Sequence, residues 1–151
     1  MENDPISIIK EDHKTVEALF DEYEGLGDSA DVSKKKVVDQ IIEELTIHAE
    51  MEEELCYPRF KKAFNKEDDK MVDEAYVEHE GVKDLLEELK SLDARTPEFD
   101  ARMQVLMEQV KHHVKEEEGE LLPTVEKEIP EEELEAMGTE MMAFKADRSA
   151  A

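Results

Sequence analysis

Along most of this chain apolar residues recur at alternating steps of three and four, and no run alternates with a period of two. That period predicts helices throughout and an all-α fold. A first helix is expected over about 6–24, ending at Gly25-Leu26-Gly27-Asp28, where paired glycines permit the positive φ of a helix end. A second runs from about Ser33 to Phe64. The third begins after Asn65, whose side chain can cap while Glu67, Asp68 and Asp69 favour the positive end of the dipole, and reaches about Leu92. Thr96-Pro97-Glu98 opens the fourth, a capping hydroxyl before a proline at the first helical position, and the pattern continues to about Lys127. A short fifth helix follows Pro130.

Short turns between long helices force sequential neighbours to pack side by side, so the expected architecture is an antiparallel up-down-up-down four-helix bundle. It would occupy residues 1–128, with 129–151 as a C-terminal amphipathic helix and tail. The seams are Ile6, Ile9, His13, Val16, Phe20 and Tyr23 on the first helix and Val38, Ile41, Leu45, His48, Glu52 and Leu55 on the second. Val72, Ala75, His79, Val82, Leu86 and Leu89 follow on the third, and Met103, Leu106, Val110, His113, Glu117 and Leu121 on the fourth.

Four of the five histidines therefore face inward, together with two glutamates. A carboxylate in a bundle core carries a desolvation cost of several kcal/mol unless it is paired or bound to metal. An internal repeat sharpens the pattern: His13 to His79 is 66 residues, while His48 to His113, Glu52 to Glu117 and Pro58 to Pro123 are each 65. One helical hairpin used twice, folded on its copy about a pseudo-twofold axis, would bring two His-His-Glu sets face to face. Levels counted from the turns differ by roughly one helical turn, ~6 Å, a span that a metal pair and long side chains can bridge. The two prolines each remove a backbone donor and are expected to kink their helices.

HxxxE by itself is weak evidence, because acids make up 43 of 151 residues and fall four after a histidine by chance. Its coincidence with the seam and with the repeat is what points to metal. Imidazole and carboxylate ligate borderline first-row ions, and the i, i+4 spacing sets His48 over Glu52 and His113 over Glu117. Six ligands suit two ions that stay coordinatively open, iron or manganese in preference to structural zinc, which closes at four.

The order His13, His48-xxx-Glu52, His79, His113-xxx-Glu117, with Asp12-His13-Lys14 and a proline ten residues past a histidine in each half, resembles the haemerythrin-like HHE cation-binding domain over about residues 4–125. The resemblance implies a non-haem centre of two iron ions, oxo- or hydroxo-bridged, with those six residues as ligands and manganese or zinc as alternative metals. Oxygen-carrying haemerythrins have an HxxxH pair on the third helix. Here the positions flanking His79 by four are Ala75 and Lys83. The pattern is closer to the H-HxxxE-H-HxxxE branch, whose members are associated with iron and oxygen sensing or with handling peroxide and nitric oxide. Tyr76 is the residue expected on the vacated side.

Charge narrows the partners. Forty-three acids against 19 basic residues give a formal charge of −24, which repels nucleic-acid backbones and anionic lipid. No apolar run approaches the ~18 residues of a membrane span and the start lacks a signal-like segment, so a cytoplasmic protein is expected. Cys56, the sole cysteine, excludes a disulfide framework and reads as a small buried residue, the alternative being an oxidation sensor near the metals, which needs an exposed, low-pKa thiolate. His112 lies one step off the seam, and the acidic runs 50–54 and 116–120 read mostly as solvated faces, with attraction of cations toward the bundle as the functional alternative. Leu134, Met137, Met141 and Phe144 form a stripe that packs on the bundle or, if uncovered, recruits a protein partner. Three functions follow: a non-enzymatic di-iron domain that binds or senses dioxygen, a related small ligand or iron itself; an oxidoreductase consuming peroxide or nitric oxide; or a metal-free helical adaptor.

Overall fold

The computed structural model describes residues 3–27 and 30–150. Their order is α1 (Pro5–Glu24), α2 (Asp31–Met51), π1 (Glu52–Cys56), α3 (Tyr57–Ala63), α4 (Lys70–Ser91), α5 (Pro97–Glu116), π2 (Glu117–Leu121), α6 (Leu122–Glu128) and α7 (Glu131–Ala150). The long rods α2-π1-α3 and α5-π2-α6 each run through a π-helical turn, and with α1 and α4 they form the bundle. Among the described residues no helix is long and apolar enough to cross a membrane.

Several ends differ from expectation for local reasons. Asp4 caps α1, its carboxylate accepting from the Ser7 amide at 2.7 Å, with Pro5 in the first turn. At the other end Gly25 closes the helix in the right-handed region, φ −77°, so no positive φ is needed there. Asp28, expected in the same turn, lies outside the described residues. Asn65 does cap, its Oδ1 accepting from the amides of Glu67 and Asp68, but it closes a separate turn and α4 starts only at Lys70. The Thr96 hydroxyl donates back to the Asp93 carbonyl at 2.8 Å instead of capping α5.

The two prolines act on the helical period. A proline lacks an N–H and crowds the carbonyl four residues earlier, which for Pro58 and Pro123 belongs to Glu54 and Gly119, inside the π turns. Widening the turn relieves that crowding. The Tyr57 amide bonds the Glu52 carbonyl and the Leu122 amide the Glu117 carbonyl, both five residues back. The inward stripe therefore advances by one: Leu55 is only partly buried, while Cys56 and Tyr57 are fully buried.

Two apolar cores form among the described residues. One gathers Phe20, Ile41, Leu89, Phe99 and Leu106 at the end of the bundle that holds the α1–α2 and α4–α5 turns. The other gathers Ile9, Met51, Tyr57, Phe60, Leu122 and Val125 at the opposite end, where α7 adds Leu134, Met137 and Met141. At twenty residues α7 is not the short helix expected after Pro130, but its stripe does pack on the bundle. Gly138 permits that approach, since a Cβ there would stand 1.5 Å from the Asn3 carbonyl oxygen. Arg59–Glu140 and Arg148–Glu50 pairs flank the contact.

Candidate metal centre

Between the two cores lies a polar layer made by His13, His48, Glu52, His79, His113 and Glu117, none more than 7% exposed. All six positions singled out in the sequence converge here. Two clusters form, His13 with His48 and Glu117, and His79 with His113 and Glu52. Each glutamate reaches across between them. Glu52 Oε1 is 3.1 Å from both His48 Nε2 and His79 Nε2, while Glu117 lies 3.0 Å from His13 Nε2 and 3.5 Å from His113 Nε2.

Each imidazole is held from behind by an acid on its Nδ1. His48 meets Asp12 at 2.7 Å, His113 meets Glu78 at 2.6 Å, His13 meets Glu118 at 2.6 Å and His79 meets Glu53 at 2.8 Å. An acid on Nδ1 fixes the ring so that Nε2 points into the layer, the usual arrangement behind metal-binding histidines. These four acids obey the repeat: Asp12 and Glu78 each precede a histidine, and Glu53 and Glu118 each follow an inward glutamate. Glu53 and Glu118 each reach a buried ring from within runs that are otherwise expected to be mostly solvated. The signal was present, an acid at matching places in both halves, but helical period alone cannot say that it reaches a ring on another helix.

The π turns explain a residue that periodicity missed. Five residues after Glu52, Tyr57 would point elsewhere on an ideal α-helix, but the wider turn returns it to the same face. Its hydroxyl donates to Glu117 Oε2 at 2.6 Å, with Glu52 Oε1 and His79 Nε2 both at 3.2 Å and His113 Nε2 at 3.4 Å. Tyr57, not Tyr76, is the phenol inside the layer; Tyr76 packs edge-on against the Tyr57 ring outside it. In the second half the corresponding position is Leu122, so the asymmetry is written in the repeat.

Charge balance decides the chemistry of the layer. Burial alone would favour neutral His48, but Glu52 and Asp12 outweigh it and push its pKa up to about 10. His113 is likewise opposed by burial and raised to about 11 by Glu117, Glu78 and Glu52, and His13 is raised by Glu117. Against burial, His113 and His13 hold Glu117 well below the usual carboxylate range. Without another cation, protons on the histidines neutralise the buried acids.

Those ion pairs are incompletely satisfied. His13 Nε2, His48 Nε2, Glu52 Oε2 and Glu117 Oε1 are buried without a hydrogen-bond partner, even though His13 Nε2 and Glu117 Oε1 stand 3.0 Å apart. Lone-pair donors facing one another without hydrogen-bond geometry are what a cation between them would complete, and nitrogen with carboxylate oxygen suits a first-row metal. The residues present fit such an ion.

Other singled-out residues sit apart from the layer. His112 is largely exposed, near Glu78 and Glu116. Cys56 is fully buried, its Sγ 3.6 Å from Met141 Sδ, and burial with the nearby charges of Glu52 and Glu117 pushes its thiol well above the ordinary range.

Comparison with known proteins defines the class. The model of the Hemerythrin HHE cation binding domain family matches residues 4–125, and the chain belongs to that family. A hemerythrin HHE cation binding domain-containing protein from Mycobacterium kansasii, known from its crystal structure, superposes with a TM-score of 0.82 at 25% identity, covering 97% of this chain and 88% of that one. An uncharacterised hemerythrin-like protein of Schizosaccharomyces pombe is 30% identical over 125 residues, and a DNA nickase of Nostoc sp. (strain PCC 7120 / SAG 25.82 / UTEX 2576) is 34% identical over 139. The matches take in 83% and 92% of this chain but 61% and 38% of those two relatives.

Proposed function

We propose that residues 1–128 hold two iron ions with His13, His48, Glu52, His79, His113 and Glu117 as ligands, and bind or sense dioxygen or a related small ligand there. The observation that carries this reading is the set of four buried, unpartnered nitrogen and oxygen atoms among the inward side chains. Glu52 and Glu117 would help hold the ions, since each lies between histidines of the two clusters. Asp12, Glu53, Glu78 and Glu118 would orient the rings, and the Tyr57 hydroxyl supplies a further oxygen in the same layer. Bound iron would supply open coordination positions for a small ligand. Nicking of DNA, the activity in the name of the Nostoc relative, forms no part of the reading: a chain of formal charge −24 repels a phosphate backbone.

Anaerobic titration of the metal-free protein with ferrous ion tests the proposal. The expected result is about two ions per chain, one for each cluster, followed by oxygen-dependent absorption that reverses when oxygen is removed. Catalytic loss of peroxide or nitric oxide would replace the sensing role by an oxidoreductase at the same residues. Absence of bound metal would leave a helical adaptor.

A further inference from the structure

A cavity of about 340 Å³ borders the histidine layer on the side away from Tyr57. The four inward histidines close one end, and Val16, Leu45, Val82, Leu86, Val110 and Val114 form its walls. Glu52, Glu117 and Tyr57 do not line it; the chamber meets the layer on its imidazole face, where Asp12, paired with His48 and Lys145, is the carboxylate that reaches it. Thr46, Glu50, Lys83, Glu87 and Lys90 stand at its outer edge, between α2 and α4.

From this the geometry points to a binding site for a neutral organic molecule with an apolar body and one polar end, larger than any diatomic gas. Size argues first. An apolar cavity of about 150 Å³ stays dry and accepts benzene, so this chamber has room for on the order of a dozen carbon atoms. Wall chemistry argues second, because a row of valines and leucines supplies no groups to hold ordered water. The edge argues third: Lys83 is paired with Glu53 at 2.7 Å, Lys90 with Glu87 at 3.1 Å and Glu50 with Arg148 at 2.8 Å, leaving no free charge there for an ionic headgroup. An acidic surface of net charge −24 disfavours anions further. The polar end then belongs at the histidine wall, where a metal held by the imidazoles would offer it an open position. That orientation rests on the metal-centre reading above, whereas occupation of the apolar chamber does not.

Calorimetric titration of the 151-residue chain, as purified, with primary alcohols from butanol to dodecanol tests the site. Saturable one-to-one binding is expected, tightening about fourfold per added methylene until the chain fills the chamber and the gain stops. Val82→Phe, which takes up chamber volume while replacing none of the six inward histidines and glutamates, should weaken octanol binding at least about tenfold by removing buried methylene contacts. Ala49, which also lines the chamber, allows Ala49→Met to do the same from the α2 wall should Val82→Phe fail to fold. Absence of saturable binding, or octanol binding unchanged in a folded variant, overturns the proposal. Iron content measured on the same samples separates the two readings: two irons without alcohol binding removes only the chamber, and alcohol binding without iron removes only the metal centre.

Discussion

The two clusters of the polar layer are copies of one plan with different finishing. His13, His48 and Glu117 correspond through the repeat to His79, His113 and Glu52, and the acids behind the rings correspond as well. Yet the Nε2 atoms of His13 and His48 have no hydrogen-bond partner, whereas those of His79 and His113 meet the Tyr57 hydroxyl. Behind Asp12 stands Lys145 of α7, while Glu78 is followed by exposed His112. The repeat therefore fixes the donor set, and single positions make the halves chemically distinct. A tyrosine facing a leucine across the repeat gives one half a built-in proton donor. A lysine on an added helix ties the other half to the chain's last element.

The largest effect should come from removing an inward carboxylate. Glu52→Ala or Glu117→Ala takes a group shared by both halves, and iron content is expected to fall from about two per chain to below one. His48→Ala should do the same. Content unchanged in Glu52→Ala and His48→Ala, by elemental analysis of folded protein, would refute the ligand assignment.

Substitutions behind the rings should cost less and act by half. Asp12→Ala and Glu78→Ala are each expected to weaken iron binding about 10- to 100-fold, the usual effect of losing such a support. Competition with a chelator would measure it. Asp12→Ala should also loosen α7, whose Lys145 loses its partner, and Glu78→Ala should not; equal protease sensitivity of α7 in the two variants would erase that difference.

Acidity separates the metal-free from the metal-bound protein. His48 and His113 titrate at about 10 and about 11 in the fold, above their ordinary 6.5. Their stabilising contribution is thus complete below pH 6.5 and is lost as pH rises through those values. The depressed Glu117 contributes above its ordinary 4.5 and loses that contribution as pH falls. Thermal melts of metal-free protein should weaken toward alkaline pH. Iron retention should run the other way, because the ligand nitrogens must be unprotonated.

Tyr57→Phe should give the smallest effect and sharpen the asymmetry most. It removes the hydroxyl but keeps the ring, costing the metal-free protein about 1–3 kcal/mol for the buried groups left unpaired. Denaturant unfolding measures this, and no change would mean that the hydroxyl does not hold the second cluster.

The helical period, the repeat of 65 and 66 residues, and two glutamates on an apolar seam were enough to name six inward residues from the sequence, because a helix fixes which face each position shares. The family pattern added the class. What helical period cannot encode is a change of period: the π turns before Pro58 and Pro123 brought in Tyr57 and moved the stripe from Leu55 to Cys56. Nor can it say which acid reaches a ring on another helix. Glu53 and Glu118, although partly exposed, turn toward His79 and His13 through the tilt and level of packed rods. The length of α7 and the chamber beside the histidines likewise depend on packing. Local composition determined what each helix must bury, and the distances between helices decided what those buried groups meet.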